Sequence, residues 1–192
     1  MYNAVIMKKS QNPWKKLSSK IVYKTPWVTV QEDKVIKPDG KRGIYSIVRT
    51  PAPAVFIVPM TDKKEIYLVR LFRYPTRRFS WEVPAGNTDN ENPLKAARRE
   101  LWEETGLRAK SFRKLGTFQS MNGIFVEKGY IYLATRLSQT GKNKRKEEGI
   151  NEVKRVPLKR VLQMIRTGKI TDDQSITSIM HTLLFLGMVN PS

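Results

Sequence analysis

The sequence predicts an α/β (α+β) sandwich, in which a mixed sheet is covered by one central helix and by helices near the C-terminus. Three observations support this fold class. Near-continuous apolar segments at 54–59 and 65–72 are typical of central strands. A segment that begins at Pro93 and stops at Gly106 is typical of a capped helix. An amphipathic pattern that begins at Leu158 predicts further helices, and 192 residues suit one domain with a substantial core.

The N-terminal quarter of the chain divides into two parts. Residues 1–20 are polar and basic without a clear period, and we expect a flexible arm there. Residues 21–50 are predicted to form an antiparallel β-element. Side chains alternate along 21–36, and a Pro-Asp-Gly turn separates this stretch from a second strand at 44–49. The main domain would then comprise 51–192.

The rest of the main domain continues the mixed pattern. Residues 158–167 have the period of an amphipathic helix, with Gly168 as its stop. A last helix is predicted to open at Thr171, where Gln174 would complete a capping box. Three shorter apolar or alternating segments predict strands, and they lie at 112–119, 130–136 and 152–156.

The chain carries a net charge of +19, from 36 basic and 17 acidic residues. This charge favours polyanionic partners, such as phosphorylated substrates or nucleic acid, without choosing among them. Residues 1–31 contain six lysines and no acid, and Lys142 to Lys146 form a second basic run. We favour a general attraction to polyanions over dedicated nucleic-acid binding.

Composition also bears on where the protein works. The sequence has no cysteine, which excludes disulfide and thiol chemistry and fits a reducing compartment. It has no apolar run long enough to span a membrane, and its N-terminus lacks the pattern of a signal peptide. We therefore expect a cytoplasmic protein without a membrane partner.

The central helix concentrates acidic side chains on one face. On a helical projection Glu104 lies about 40° from Glu100, and Glu103 lies about 60° to the other side. Asn92 is a good N-cap and Gly106 a good C-terminal stop. Stacked like charges weaken a helix unless a divalent cation binds them. The alternative is an ordinary solvated acidic face.

This stretch resembles the Nudix box. Gly86 and the run Arg99-Glu100-Leu101-x-Glu103-Glu104-x-Gly106-Leu107 match residues of its signature. Counted from Gly86, the first glutamate of the signature falls on Asn92, with Glu91 beside it. The resemblance implies a Nudix-type helix–sheet–helix sandwich with a mixed sheet, with 51–192 as the Nudix hydrolase domain.

Segments outside the box are similar to the ADP-ribose pyrophosphatase branch of the family, and the similarity covers about residues 22–187. Arg73 and Glu82 match positions that contact substrate in that branch, although the glutamine that usually precedes the arginine is absent. Gly86 and Trp27 are further expected substrate contacts. The resemblance implies hydrolysis of ADP-ribose to AMP and ribose 5-phosphate, with Mg²⁺ (or Mn²⁺) as cofactor. It also implies a homodimer that exchanges the β-element.

The resemblance assigns roles to the box residues as well. Glu100 and Glu104 are the first expected metal ligands, followed by Glu103 and the carbonyl of Ala85. Arg99 is expected to tether a box carboxylate, and the alternative is a surface cation.

The general base is less sharply indicated. In this branch it usually comes from a glutamate on a loop after the main sheet, and the loop 138–149 offers Glu147 and Glu148. Two acids in a lysine-rich loop can also serve only as local charge balance. Glu127 is the rival candidate, and Glu103 is retained among the catalytic residues.

Trp27, together with Trp14 and Tyr23, could stack an adenine, although aromatic side chains near strands more often pack. Three other functions stay open. The chain could hydrolyse another nucleotide sugar or a dinucleotide, it could act on capped RNA, or it could be a non-catalytic Nudix-fold module that binds RNA or nucleotide.

Overall fold

A computed structural model describes residues 12–189 of the chain, which form two compact units. Unit 1 comprises residues 12–51 and 121–126, and unit 2 comprises 52–120 and 127–189. No helix among the described residues has the length and apolar character needed to cross a membrane.

Within residues 12–189, eleven strands and three helices follow one another. The strands are β1 (Lys15–Lys24), β2 (Thr29–Ile36), β3 (Arg42–Arg49), β4 (Ala54–Pro59), β5 (Glu65–Arg73), β6 (Arg78–Glu82), β7 (Ala85–Asn87), β8 (Leu107–Phe118), β9 (Phe125–Val126), β10 (Gly129–Gln139) and β11 (Ile150–Pro157). The helices are α1 (Pro93–Thr105), α2 (Leu158–Arg166) and α3 (Asp173–Phe185).

Unit 1 is one four-stranded sheet in the order β1-β2-β3-β9. The first three strands pair antiparallel, and β9 pairs parallel with β3. The predicted arm at 1–20 is therefore wrong for residues 15–20, which belong to β1. Their side chains are all exposed, so the strand is held by backbone pairing and leaves no hydrophobic pattern in the sequence. The rest of the arm, residues 1–11, lies outside the described residues.

The predicted alternation along 21–36 spans two strands rather than one. A turn at 25–28 separates β1 from β2, and the hydroxyl of Thr25 accepts the backbone N–H groups of Trp27 and Val28 there. Short local hydrogen bonds of this kind form a turn without glycine. The antiparallel β-element itself is present, with β2 and β3 as its hairpin.

Unit 2 is a helix–sheet–helix sandwich, as the sequence predicts. A mixed sheet in the order β7-β4-β10-β8 contains one parallel pair, β4 with β10. A second, antiparallel sheet has the order β11-β5-β6. Successive side chains of β4 point to opposite faces, so Val55 and Ile57 pack with Leu101 of α1, while Phe56 and Val58 pack with Ile179 of α3. The sheet therefore separates two apolar cores.

Two of the departures from the predicted boundaries have a clear physical cause. β8 begins at Leu107 rather than at residue 112, because its pairing with β10 continues through residues whose cationic side chains are exposed. The last helix is capped by Asp172, whose carboxylate accepts the N–H of Ser175 at 2.7 Å, and not by the predicted capping box at Thr171. Aspartate is as good a cap, and it sits one residue nearer the helix.

Candidate active site

Helix α1 is held in place at both ends by local contacts. The side chain of Asn92 accepts the N–H of Leu94 at 2.9 Å, as expected of an N-cap. At the other end Gly106 adopts a left-handed conformation, with φ of 72°, and donates its N–H to the carbonyl of Trp102. Glycine is favoured there because a side chain would strain this backbone. The helix register, and with it the position of each glutamate, is thereby fixed.

The three predicted glutamates of α1 are all buried. Glu100, Glu103 and Glu104 are each less than 8% exposed, which is rare for carboxylates. Gly86 lies directly against Glu100, and a Cβ atom at this glycine would collide with the carboxylate. The glycine is therefore required by close approach rather than by an unusual backbone angle.

Burial changes the ionisation of two of these groups. It raises the pKa of Glu100 to about 7, and the charges of Glu103 and Glu148 add to this effect against the opposing charge of Arg99. Burial also raises the pKa of Glu104 to about 8, although the N–H of Ala85 donates to its carboxylate at 3.0 Å. Two neighbouring carboxylates that resist ionisation form a site that favours an added positive charge.

Arg99 connects the box residues to one another. Its guanidinium donates to Glu100 at 2.7 Å, to Glu103 at 3.0 Å and to Glu91 at 2.9 Å. It also donates to the carbonyl of Asn87 and to Asp89. The position of Glu91 corrects one expectation from the sequence. Counted back from Arg99, the first glutamate of the signature falls on Glu91, eight residues earlier, and not on Asn92. The segment between Gly86 and Glu91 is one residue shorter than in the signature, and Glu91 supplies the carboxylate that pairs with Arg99 while Asn92 serves as the cap.

The loop between β10 and β11 is docked on the C-terminal end of α1. The ammonium group of Lys144 donates to the carboxylate of Glu103 at 2.7 Å, and its backbone N–H donates to the carbonyl of Glu103. The hydroxyl of Thr140 donates to the carbonyl of Gly106. Burial acts to raise the pKa of Glu103, but the hydrogen bonds from Lys144 and Arg99 outweigh it and hold the pKa below its ordinary value.

The two candidate bases on the docked loop differ in the groups on which their charges act. The charge of Glu148 acts on Glu100, Glu104 and Lys144. The charge of Glu147 acts on Lys144. The third candidate, Glu127, lies elsewhere in unit 2. Burial and the charge of Asp173 raise its pKa, and its carboxylate is 3.4 Å from the side-chain amide of Gln174.

A cleft of about 830 Å³ lies between the β5–β6 hairpin and the segment that leads into α3. In its wall Arg73 binds Glu82 through two parallel hydrogen bonds of 2.9 and 2.5 Å. The hydrogen bonds to Glu82 chiefly raise the pKa of Arg73, and the charges of Asp172 and Glu104 add to this effect. Burial raises the pKa of Asp172, which also lines the cleft.

The sequence singled out Arg73 and Glu82 in this cleft but missed Asp172, Asp173 and Gln174. The acidic doublet before the last helix was a usable signal for them. The sequence analysis also missed Lys144, because its partner Glu103 is 41 residues away in sequence.

The predicted aromatic contacts lie in unit 1. Trp27 is 75% exposed, and Tyr23 is exposed as well. Trp14 packs its ring edge-on against Tyr45, with 5.1 Å between the centroids, so it is used in packing. A role for Trp27 in binding substrate stays a prediction.

The donor set of α1 fits a hard divalent cation. Carboxylate oxygens are the ligands such ions prefer, and burial raises the pKa values of Glu100 and Glu104 because it disfavours their ionised forms, which a cation would stabilise. Across residues 12–189, no three acidic, histidine or cysteine side chains already surround a common metal position. In this structure Arg99 and Lys144 hold oxygens of Glu100 and Glu103, so a cation would compete with these ion pairs.

Taken together, a mixed sheet between helices, a glycine packed on a buried carboxylate and a cleft lined by both cations and acids define a class of protein. It is a hydrolase of the Nudix type, in which carboxylates on one helix serve a charged substrate. Two family models match the chain. The NUDIX domain matches residues 50–177, and the nucleoside diphosphate sugar hydrolase N-terminal domain matches residues 14–48.

Individual relatives agree with these matches. The chain is 30% identical to an ADP-ribose pyrophosphatase of Bacillus subtilis, over 88% of this chain and 92% of that protein. It is 28% identical to a CMP-5'-(N-acetyl-N-hydroxy-3-aminopropyl)phosphonate hydrolase of Streptomyces rubellomurinus, over 88% of this chain and 82% of that protein. A crystal structure of an ADP compounds hydrolase superposes with a TM-score of 0.82 at 22% identity, covering 94% of this chain and 98% of that one.

The chain belongs to the NUDIX domain family and is a Nudix pyrophosphohydrolase. The predicted fold class, the resemblance to the ADP-ribose pyrophosphatase branch and the enzymatic class are confirmed. The second family model begins at residue 14, in agreement with a β-element that starts at β1 rather than at residue 21.

Proposed function

We propose that the protein hydrolyses the pyrophosphate linkage of ADP-ribose to AMP and ribose 5-phosphate, with Mg²⁺ or Mn²⁺ as cofactor. The observation that carries this proposal is the buried pair Glu100 and Glu104, of which Glu104 interacts electrostatically with Arg73 in the wall of the 830 Å³ cleft. A cleft of this size can hold a nucleotide and a second sugar. The similarity to an ADP-ribose pyrophosphatase over most of both chains supports the choice of substrate.

Glu100 and Glu104 would hold the cation, with Glu103 and the carbonyl of Ala85 as further ligands. When bound, a divalent ion neutralises phosphate charge and lowers the pKa of a coordinated water. Gly86 lets the backbone before α1 approach Glu100. A contact between Gly86 and the substrate stays a prediction. Arg99 orients two ligands by donating to the carboxylates of Glu100 and Glu103.

Glu148 is our choice for the general base. It is the loop acid whose charge acts on both buried glutamates, and the docking of Lys144 on α1 holds its loop near them. A base must lie within hydrogen-bond reach of the proton that it removes. Glu147 and Glu127 remain rival candidates, and replacing each in turn by glutamine separates them. The variant in which the true base is replaced should lose turnover and keep its affinity for substrate.

Arg73 and Glu82 are proposed substrate-binding residues. The bidentate pair fixes the guanidinium of Arg73 at the mouth of the cleft, where it can still donate to a phosphate or a ribose hydroxyl. Trp27 is proposed as an adenine contact. Its 75% exposed ring is available for stacking, and truncation to alanine should raise KM for ADP-ribose without changing AMP release at saturation.

We propose a homodimer as the working state. All ten residues of β1 are exposed, and the strand is an edge that carries Leu17, Ile21 and Tyr23, each about half exposed. An exposed edge of this kind invites pairing with another chain. Light scattering at micromolar concentration tests the proposal, and a monomer would contradict it.

The absence of cysteine from the sequence supports a cytoplasmic location.

The decisive assay incubates the protein with ADP-ribose and Mg²⁺ and measures AMP. Glu104→Gln should lower turnover by about a hundredfold or more, because a ligand of the cation is lost. Glu152→Gln, which makes the same change on an exposed strand position, should leave turnover unchanged. Full activity of Glu104→Gln would overturn the metal assignment.

A second candidate substrate is another nucleotide-linked compound. The relative that acts on a CMP-linked phosphonate supports it, since that protein is 28% identical over 88% of this chain. A panel of ADP-ribose, nucleotide sugars, dinucleotides and capped RNA, each assayed for kcat/KM, would rank these substrates. A higher kcat/KM for any of the others would replace ADP-ribose as the proposed substrate. The proposed hydrolysis of a pyrophosphate linkage would be unchanged.

A further inference from the structure

A second cavity lies on the side of α1 that faces away from the buried glutamates. We call it the outer pocket, and it has a volume of about 400 Å³ between α1 and the start of β8. Six residues line it, namely Arg98, Arg99, Trp102, Arg108, Ala109 and Phe112. We propose that the outer pocket is a binding site for single-stranded nucleic acid, where it receives one unstacked base and its phosphate. This proposal is independent of the hydrolytic function.

The cations of the outer pocket are available for a ligand. Arg98 and Arg108 are exposed, and neither takes part in any ion pair within residues 12–189. Arg99, by contrast, is committed to the box carboxylates. Guanidinium groups donate two parallel hydrogen bonds to a phosphate, so a pair of unengaged arginines beside a cavity suits this anion.

The pocket also has aromatic walls. Trp102 and Phe112 are half-buried, and the guanidinium of Arg98 lies 5.6 Å from the centre of the Phe112 ring. Bases stack on such rings irrespective of sequence, and an arginine beside the ring adds a cation–π contribution. An anion-binding site for a sugar phosphate alone would not need two aromatic walls. The pocket therefore suits a nucleotide unit.

A second aromatic group with cations extends the pattern beyond the pocket. Lys114 and Lys128 each lie 4.9 Å from the centre of the Tyr130 ring. Tyr130 and Phe112 pack against the same apolar core, so they lie on one side of the sheet. This repeat of ring and cation favours a chain of nucleotides over a single one. In a duplex the bases are paired and stacked, so their faces are not available to these rings.

Helix α2 provides an internal control for charge alone. A cavity of about 340 Å³ beside it is lined by Lys159, Leu162, Gln163 and Arg166. It has two cations and no aromatic side chain. If charge alone attracted nucleic acid, the two cavities would be equivalent.

The test measures fluorescence anisotropy of a labelled single-stranded RNA of about 12 nucleotides, within the site size typical of such proteins. Trp102→Ala should weaken binding about tenfold. The double variant Arg98→Ala/Arg108→Ala should reduce the slope of log K against log salt by about 1.4, as expected for two lost phosphate contacts. The matched control, Lys159→Ala/Arg166→Ala, should change neither affinity nor slope by a comparable amount.

Three results would overturn the proposal. Equal losses from the two double variants would show attraction by charge alone. Equal affinity for a duplex of the same length would show that no base is stacked. Displacement of the labelled RNA by AMP at the same concentration as by unlabelled RNA would show a mononucleotide site. The Arg98→Ala/Arg108→Ala protein should hydrolyse substrate normally, so failure of this proposal and failure of the hydrolytic one are distinguishable.

Discussion

The two flanks of helix α1 carry charge in opposite ways. On the inner flank Glu100 and Glu104, four residues apart, are buried and have raised pKa values. On the outer flank Arg98 and Trp102, also four residues apart, line an open pocket. The two rows are offset by two residues, which is about 200° around a helix. One short sequence therefore presents two different surfaces.

The difference between the flanks is one of energetic cost. An exposed arginine such as Arg98 is hydrated and costs little where it stands. A buried carboxylate such as Glu104 is costly until a cation compensates it. We infer that the buried carboxylates of the inner flank destabilise the fold until a cation binds them, whereas the exposed arginine of the outer flank does not.

The largest expected effect comes from Gly86→Ala. The added Cβ would displace the carboxylate of Glu100, and misplacing a catalytic group by about 1 Å can cost about a hundredfold in rate. The measurement is kcat for ADP-ribose at saturating Mg²⁺. Gly123→Ala is the matched control, because nothing lies within 4 Å of a Cβ atom there. An active Gly86→Ala protein would mean that the position of Glu100 is unimportant.

The next prediction concerns pH and stability without metal. Burial raises the folded-state pKa values of Glu100 and Glu104 to about 7 and about 8, above the ordinary glutamate value of 4.5. Above about pH 4.5 the unfolded chain loses these protons first, so stability should fall as the pH rises toward 8. Mg²⁺ at about a hundred times its Kd should restore about 2.7 kcal/mol at pH 8.

Thermal unfolding in EDTA and in Mg²⁺, at pH 5 and pH 8, checks this expectation. In a protein of this size 2.7 kcal/mol corresponds to a shift in Tm of about 5 to 10 °C. The shift should be smaller at pH 5, where protons compete with the cation. The variant Glu100→Gln/Glu104→Gln should lose the dependence on Mg²⁺, whereas Arg98→Ala on the outer flank should keep it. A metal effect that is equal at both pH values would contradict the account.

The smallest expected effect is that of Lys144→Met. Lys144 donates to Glu103 and so competes with a cation for the inner flank. Its removal should tighten Mg²⁺ binding by about threefold to tenfold, from the loss of one nearby positive charge. Lys146→Met makes the same change in the same loop and should have little effect. Weaker binding in Lys144→Met would show that docking of the loop matters more than its charge.

The inner flank could be predicted from sequence because its signals are local. Asn92, Pro93 and Gly106 mark the ends of α1 within the segment itself, and the spacing of the glutamates follows from the helical period. The two cores were predictable for a similar reason, since 54–59 is a continuous apolar run.

The outer pocket and the docked loop could not be predicted in the same way. Each depends on residues that are brought together by the tertiary structure. Arg98 meets Phe112 because β8 runs beside α1, and β8 extends through cationic residues that lack a strand pattern. Lys144 meets Glu103 across 41 residues of chain. Neither pairing leaves a periodic trace in the sequence.

The central claim is that Glu100 and Glu104 form the cation site on which hydrolysis depends. Isothermal titration of Mn²⁺ at pH 8 into the wild-type protein and into Glu100→Gln/Glu104→Gln tests it most directly, with Glu152→Gln as the control. We predict saturable binding to the wild type and to the control, and loss of that binding in the double variant. Unchanged binding in the double variant would contradict the claim and place the cation elsewhere.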